Sequence, residues 1–505
     1  MPKTLTKLIL ITLFFGLISN SASAAPKAGA KCGKAGLTET YKNYKYSCIK
    51  KNGKLIWVKG SQVKNNNSAN SGGNTSTTFS TNPAIDPSFK FLGGLYGYDP
   101  DAPAEWTAYQ NFLVANRYHA GPLRYVLKEL GTAKPKFLES FNGSTLPISQ
   151  CQPKQVHQYP VLGFVAPDDK DKFYFNRHPS PNTVFQVLPV QWKEFLGKKT
   201  PAEDYKKYFD FLTSWIKNNS VNGSSVQMKI PDRYFTLPKG INSYSGIDTH
   251  GKPNAEGAKF FQDAIDAADD FVDFKGVNIT LLVVPPETPI RYLGNQPWSS
   301  GPISDEGRVN SILTNPPHNF TEWHANQQLA IPGAWIHEIW HAGLDLGDHS
   351  GIDAMGNWGV MASMTMDLMG WEKYVAGFLS DEQVICVSAN STTTNWLVPS
   401  SYKGTQPKLI VIPLSDTRVI VVESMRSAGY NYKLQPQSQG ALVYIIDTSK
   451  TGYHQGEYVV VPKGRTDPDY MDAPLKQGES LEVEGVRISV IEAGIFGEVI
   501  RVAKI

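Results

Sequence analysis

The sequence has little that commits it to a membrane or to a nucleic acid. Beyond its first two dozen residues, no apolar run approaches the ~20 residues that a bilayer-spanning helix needs. No transmembrane segment is therefore expected in the mature form. Forty-nine basic residues stand against 46 acidic ones, a net charge of +3 over 505 residues. That balance lacks the basic excess typical of a nucleic-acid binder. Cysteine is scarce, with four in all, and their number and spacing exclude a cysteine-ligated zinc finger. No internal repeat stands out.

What is present begins with an export signal. Lys3 and Lys7 give a positive start, Leu8 to Ile18 is an apolar run, and Ala22-Ser23-Ala24 is a small-residue cleavage site. The run is too short to anchor the chain in a bilayer. Residues 1–24 are thus expected to be a signal peptide removed after Ala24, which makes the mature protein secreted, with cell-surface association as a further expectation. An oxidising exterior favours a disulfide between Cys32 and Cys48, which lie in one short segment. Cys151 and Cys386 are far apart, and the sequence leaves open whether they pair.

Composition divides the remainder. Residues 27–60 form a small basic module in which Tyr44, Tyr46, Ile56 and Trp57 suit two short strands stapled by the disulfide. It reads either as a wall-attachment or glycan-binding module or as a folded cap without a ligand. Residues 61–85 are rich in Ser, Asn, Thr and Gly, the composition of a flexible linker. Residues 88–180, with a helical pattern from Trp106 to Leu130, read as a prodomain or as the N-terminal part of a catalytic domain spanning 181–380. Within that domain Thr183 to Val190 reads as a buried strand. Thr200-Pro201-Ala202-Glu203 is a capping box with proline in the first turn. Tyr205, Tyr208, Phe209, Leu212, Trp215 and Ile216 then recur at helical spacing. A second helix is expected near Ala258 to Val272, followed by a strand from Val277 to Val284 that stops at Pro285-Pro286. Residues 381–505 carry short β-rich runs, among them Leu409 to Leu414, Arg418 to Glu423 and Ala441 to Ile446. They predict an all-β, sandwich-like C-terminal domain. The fold class is α+β.

The chemistry concentrates in Ala334-Trp335-Ile336-His337-Glu338-Ile339-Trp340-His341. No Gly or Pro interrupts it, and Ile336, Ile339 and Trp340 share one helix face. His337 and His341 are four residues apart, so both imidazoles leave the same side of one turn. Two nitrogen donors held that way suit tetrahedral zinc. Glu338 lies beside them but points elsewhere around the helix, where it can take a proton from a zinc-activated water. With ten histidines in the chain, a chance HExxH is expected about once in a hundred such sequences. A catalytic zinc needs a third protein ligand. Gly343 can end the helix and turn the chain back. Asp345, Asp348 and His349 follow as candidate donors, with Glu372 a more distant one. Met361, in Asn357-Trp358-Gly359-Val360-Met361-Ala362-Ser363, sits on a segment suited to a tight turn, or is an ordinary core methionine.

Together these residues resemble the immune inhibitor A family of secreted metallopeptidases. That family shows HExxHxxGLPDLYD, a W-x-x-M segment, then an aromatic-Glu-Lys helix near Gly-Trp. Here the counterparts are HEIWHAGLDLGD from His337, Trp358-Gly359-Val360-Met361, and Gly370-Trp371-Glu372-Lys373-Tyr374. Val422-Glu423-Ser424-Met425-Arg426, Gly429-Tyr430-Asn431 and Gly440 to Asp447 resemble its later strands. The likeness covers about residues 180–505. It implies a zincin-like catalytic domain, with a mixed sheet and an active-site helix, followed by the β-rich domain. It also implies Met361 as a Met-turn residue packed beneath the metal. The family places its Asp ligand six residues after the second His, where this chain has Gly347. Asp345 is the best match, at the cost of a two-residue deletion.

The function expected is a secreted zinc endopeptidase acting on proteins or peptides. His337, His341 and Asp345 hold Zn²⁺ and Glu338 is the general base. Two alternatives remain: an inactive peptidase-fold surface or adhesion protein, and a wall-directed hydrolase targeted by residues 27–60. Calcium is a further candidate ion. It needs six to eight oxygen ligands, and Asp99 and Asp101 have no third acid beside them, so no calcium site is assigned.

Overall fold

The computed structural model describes residues 30–62 and 128–505, apart from breaks of which the longest are 169–178, 245–254, 315–324 and 345–354. The expected signal peptide, most of the expected linker, the 106–130 helical pattern up to residue 127, Asp99, Asp101, Asp345, Asp348 and His349 lie outside the described residues. The chain divides into two compact units, Met1–Thr78 and Phe79–Ile505.

The first unit is an antiparallel meander of β1 (Thr38–Tyr41), β2 (Tyr44–Lys51) and β3 (Lys54–Gln62). It has one strand more than the two expected, because Thr38 to Tyr41 pairs with Ser47 to Tyr44. Only Asn52-Gly53 joins β2 to β3, the dipeptide favoured in two-residue hairpins. Cys48 pairs with Trp57 across the ladder. A Cys32–Cys48 disulfide closes over Tyr46 and Trp57, which are buried with it. So small a core needs such a staple.

The second unit opens on a mixed sheet. Its strands are β4 (Val184–Gln191), β5 (Gln227–Lys229), β6 (Phe235–Thr236), β7 (Ile279–Val283), β8 (Gln296–Trp298) and β11 (Ile312–Thr314). The order is β5-β4-β7-β11-β8, with β6 also on β4. All pairings are parallel except that β8, at the edge, runs antiparallel to β11. A separate hairpin, β9 (Ile303–Ser304) and β10 (Gly307–Arg308), lies between them in sequence. Strand β4 is buried on both faces at Phe185 to Val190, as a parallel sheet with covered faces requires.

Helices provide that cover. Thr200 caps α1 (Pro201–Asp204) through the expected box. The Glu203 N–H donates to Thr200 Oγ1 at 3.3 Å, and the Thr200 N–H donates to Glu203 Oε2 at 2.9 Å. The Thr200 N–H and the Thr200 hydroxyl, which donates to Glu203 Oε2 at 2.7 Å, hold the Glu203 carboxyl below its ordinary pKa. The chain continues into α2 (Lys206–Asn219). Side chains from α2 and from α4 (Ala325–Leu344) meet Ile279, Leu281 and Val283 of β7. On the opposite side, Leu282 of β7 and Val284 just beyond its end meet Phe260, Phe261 and Ile265 of α3 (Ala255–Asp266). The alternation of strand side chains thus separates two cores.

The C-terminal region is two facing sheets. One has the order β12-β14-β15-β16-β17, from β12 (Val384–Cys386), β14 (Leu409–Ser415), β15 (Arg418–Met425), β16 (Gly440–Asp447) and β17 (Glu457–Val459). The other has the order β13-β20-β19-β18, from β13 (Thr393–Leu397), β18 (Ser480–Val483), β19 (Val486–Gly494) and β20 (Gly497–Lys504). Ile410, Ile412, Ile420, Val422 and Val443 of the first pack with Ile488, Val490, Ile500 and Val502 of the second. The other face of the first sheet presents Leu409, Val411, Val421, Leu442 and Tyr444. These join the core that holds Ile336, Ile339 and Trp340 of α4. The β-rich region therefore shares one continuous core with the sheet-and-helix region before it.

A buried polar cluster lies along this junction. Helix α5 (Gly370–Val375) presents Lys373, whose Nζ lies 2.7 Å from Asp367 Oδ2, both side chains about 1% exposed. Glu423 accepts from the Gly370 N–H at 2.8 Å and from Ser400 Oγ at 2.6 Å. Burial nevertheless pushes its carboxyl above the ordinary range. Residues 145–164 dock on the same sheet. Cys151 and Cys386 form a second disulfide, the Lys154 N–H donates to Asp416 O at 2.7 Å, and the Trp371 indole donates to Leu162 O at 2.9 Å.

Candidate metal centre

Helix α4 carries the HExxH residues in its last three turns. It begins upstream at Ala325 and passes through Pro332-Gly333, a pair that local propensity marks as a break. Packing overrides that preference. Trp335 stacks on Tyr205 at 5.9 Å, and Trp340 meets Trp215 edge-on at 6.0 Å. With Ile336 and Ile339, which are also buried, these rings fix the helix's rotation about its axis. Gly343 lies within the final turn, and the helix runs on to Leu344.

Fixed in that rotation, the two imidazoles converge. His337 Nε2 and His341 Nε2 are 3.0 Å apart, with ring centroids 4.6 Å apart and planes at 82°. A tetrahedral zinc bound at about 2.0–2.1 Å by each nitrogen needs them ~3.3 Å apart. The pair is thus within a few tenths of an ångström of a metal-ligand spacing.

The second ring nitrogen completes the argument. His337 Nδ1 lies 3.0 Å from Val360 O. A carbonyl can only accept, so Nδ1 carries the proton and donates it. In the neutral ring Nε2 is then an acceptor, and its neighbour at 3.0 Å is His341 Nε2, which donates to it when protonated and stands beside it as a second donor atom for a metal when not. Metal-ligating histidines are held in this way by a backbone carbonyl or a carboxylate. His337 is 7% exposed, so its orientation is set by protein rather than by solvent.

Val360 belongs to a tight turn. The Ala362 N–H donates to Gly359 O at 3.2 Å, and Gly359 adopts φ +84°, a value open to glycine at little cost. The turn is pinned from the β-rich region, where the Trp358 indole donates to Tyr470 O at 2.9 Å and the Asn357 N–H to Asp469 O at 3.1 Å. Met361 is fully buried in the core that also holds Ile339 and Trp340. The sequence marked this segment for its methionine. The backbone carbonyl one residue earlier was missed, because a carbonyl has no side-chain signature.

A Cβ added at Gly359 meets Met369 Cγ at 3.1 Å in a backbone conformation costly for other residues. Gly359→Ala is expected to lower stability by about 1–2 kcal/mol. By displacing Val360 O it is also expected to weaken zinc affinity about 10-fold or more. Urea denaturation and competitive zinc titration measure the two effects, and unchanged zinc affinity contradicts the role given to Val360.

Glu338 is half-buried on the turn between the two histidines. Glu372 is not brought to the pair. It is fully buried, and its Oε2 accepts from the Met369 N–H at 2.8 Å at the start of α5. Among the described residues, no third His, Cys, Asp or Glu groups with the two histidines to form a metal-binding set. Asp345, Asp348 and His349 fall outside those residues. The two histidines offer zinc the right atom type at a spacing a few tenths of an ångström short of that of two ligands.

The strand expected from Val277 to Val284 has no free edge with which to align a substrate by strand addition. As β7 it is paired with β4 on one side and β11 on the other. Its unbroken apolar run is the mark of a doubly covered interior strand. The sheet edge beside α4 is β8, only three residues long and containing Pro297, which gave no strand signal in the sequence.

Searches for similar proteins gave no match to any family model, any curated protein or any solved structure.

Proposed function

We propose that the chain is a secreted zinc-dependent endopeptidase of zincin-like design, with His337 and His341 as ligands, Asp345 as the third and Glu338 as general base. One observation carries the reading. Two histidine Nε2 atoms converge at 3.0 Å while the other nitrogen of His337 donates to Val360 O. At 3.0 Å the two nitrogens share a hydrogen bond, and opening that distance by a few tenths of an ångström gives the spacing of two zinc ligands. The two disulfides fit an exported protein, and among the described residues no helix is long and apolar enough to cross a membrane.

When bound, zinc supplies a Lewis acid that makes water more acidic and favours negative charge on a scissile carbonyl. The chain's own groups do the rest. Val360 O holds His337 in its tautomer, and the aromatic packing of Trp335 and Trp340 keeps α4 from rotating. Glu338, next to His337, accepts a proton from the attacking water and returns it to the leaving amine. Among the described residues no strand pairs with the outer side of β8, at the sheet edge beside α4, and that side would offer backbone groups to an extended peptide.

The test is hydrolysis of an unfolded protein by the mature chain. Activity is expected to disappear with a zinc chelator and to return on adding zinc. Hydrolysis that ignores the chelator, or no hydrolysis by the zinc-loaded chain, contradicts the proposal.

A further inference from the structure

Charge is not spread evenly along this chain. Residues 27–60 contain nine lysines, one acid (Glu39) and no arginine, a net of +8 against +3 for all 505 residues. The rest of the chain is therefore net acidic. Such segregation is a physical signal of a partner, since lysine placed only for solubility has no reason to gather in one small unit.

The structure shows how the lysines are displayed. Lys31, Lys34, Lys50, Lys51 and Lys54 are exposed on the disulfide-closed meander. Lys51 and Lys54 are direct cross-strand partners in the β2–β3 ladder. Like charges in that position repel each other, and a single glutamate cannot neutralise nine lysines. A fold that keeps this repulsion gains when a polyanion relieves it. The unit is compact in its own right, and the sequence that follows it is a Ser, Asn, Thr and Gly run.

We propose that residues 27–60 bind a linear anionic glycopolymer through these lysines and so hold the chain at a charged extracellular surface. Lysine offers point charges, without the planar fork with which arginine reads the shape of one phosphate or carboxylate. Recognition is therefore by charge density along a polymer rather than by the geometry of one group. A bilayer fits less well. Among its described residues the exposed large apolar side chains are Ile49 at 41% and Val58 at 37%, and there is no amphipathic helix. This inference does not depend on the peptidase reading.

The experiment uses the full mature chain with four probes: polygalacturonate, inorganic polyphosphate, neutral dextran and phosphatidylglycerol vesicles. The chain is expected to bind both anionic polymers at about 50 mM salt, to ignore dextran and to be released as salt rises, because binding frees condensed counterions. Replacing Lys31, Lys34, Lys50, Lys51 and Lys54 together by Gln is expected to weaken polymer binding at least ~10-fold and to flatten its salt dependence. The same five changed to Arg should keep binding. An intact Cys32–Cys48 disulfide, read by thiol counting, shows that each variant has folded. His337→Asn should bind the polymers as the parent does, which separates this result from the fate of the metal centre. No binding to either polymer, equal binding by the Gln variant, or tighter binding to vesicles than to polymers overturns the proposal.

Discussion

Glu338→Gln is expected to lower kcat/KM for peptide hydrolysis about 10³-fold while leaving bound zinc unchanged. The size follows from what general acid–base catalysis by a placed side chain contributes, roughly 10²–10⁴. The preserved metal follows from geometry. His337 and His341 face each other across 3.0 Å, whereas Glu338 is the next residue on the helix and points about 100° away from His337. Glutamine keeps the shape and the helix propensity, so the structure of α4 should persist. What is lost is the ability to take and return a proton. Loss of metal together with activity makes Glu338 a ligand instead of a base. Activity within 10-fold of the parent removes it from the mechanism.

The second large effect is on stability. Cys151 and Cys386 are 235 residues apart in sequence, with Cα atoms 5.7 Å apart, and both are buried. In the chain-entropy account, closing so long a loop restricts the unfolded chain by about 5 kcal/mol. That is comparable with the whole stability of many domains, roughly 5–15 kcal/mol. The link also fastens residues 145–164 to the sheet that underlies the candidate metal centre. Replacing both cysteines by serine is expected to cost about 4–5 kcal/mol, seen as a large fall in the urea midpoint of the second unit. Removing Cys32 and Cys48 instead should leave that midpoint in place. Their disulfide closes a separation of only 16 residues inside the other unit. An unchanged midpoint in the Cys151/Cys386 variant contradicts the structural role given to the bond.

The parts legible in the sequence are those written in local periodicity. The Thr200–Glu203 capping box, the helix through Trp215, the apolar run from Ile279 and the HExxH helix each depend on residues a few positions apart, and the structure has them. The β-rich character of the last hundred residues was legible for the same reason. Long-range features were not. Nothing near Cys151 announces Cys386, and nothing in Gln296-Pro297-Trp298 announces a sheet edge. That β7 is interior depends on where its neighbours come from. The shared core arises because alternate residues of β14, β15 and β16 face opposite ways, so Val421 and Val422 enter different cores. At the site, the histidine pair was plain from its spacing. Val360 O was hidden, because a backbone acceptor is available at every residue and only the fold selects one.

Metal analysis of the purified mature chain tests the central claim most directly. After equilibration with zinc and removal of excess, the parent should hold about one ion per chain, and His337→Asn should hold almost none while remaining folded. A parent that keeps no zinc, or a His337→Asn chain that keeps the full complement, contradicts the account.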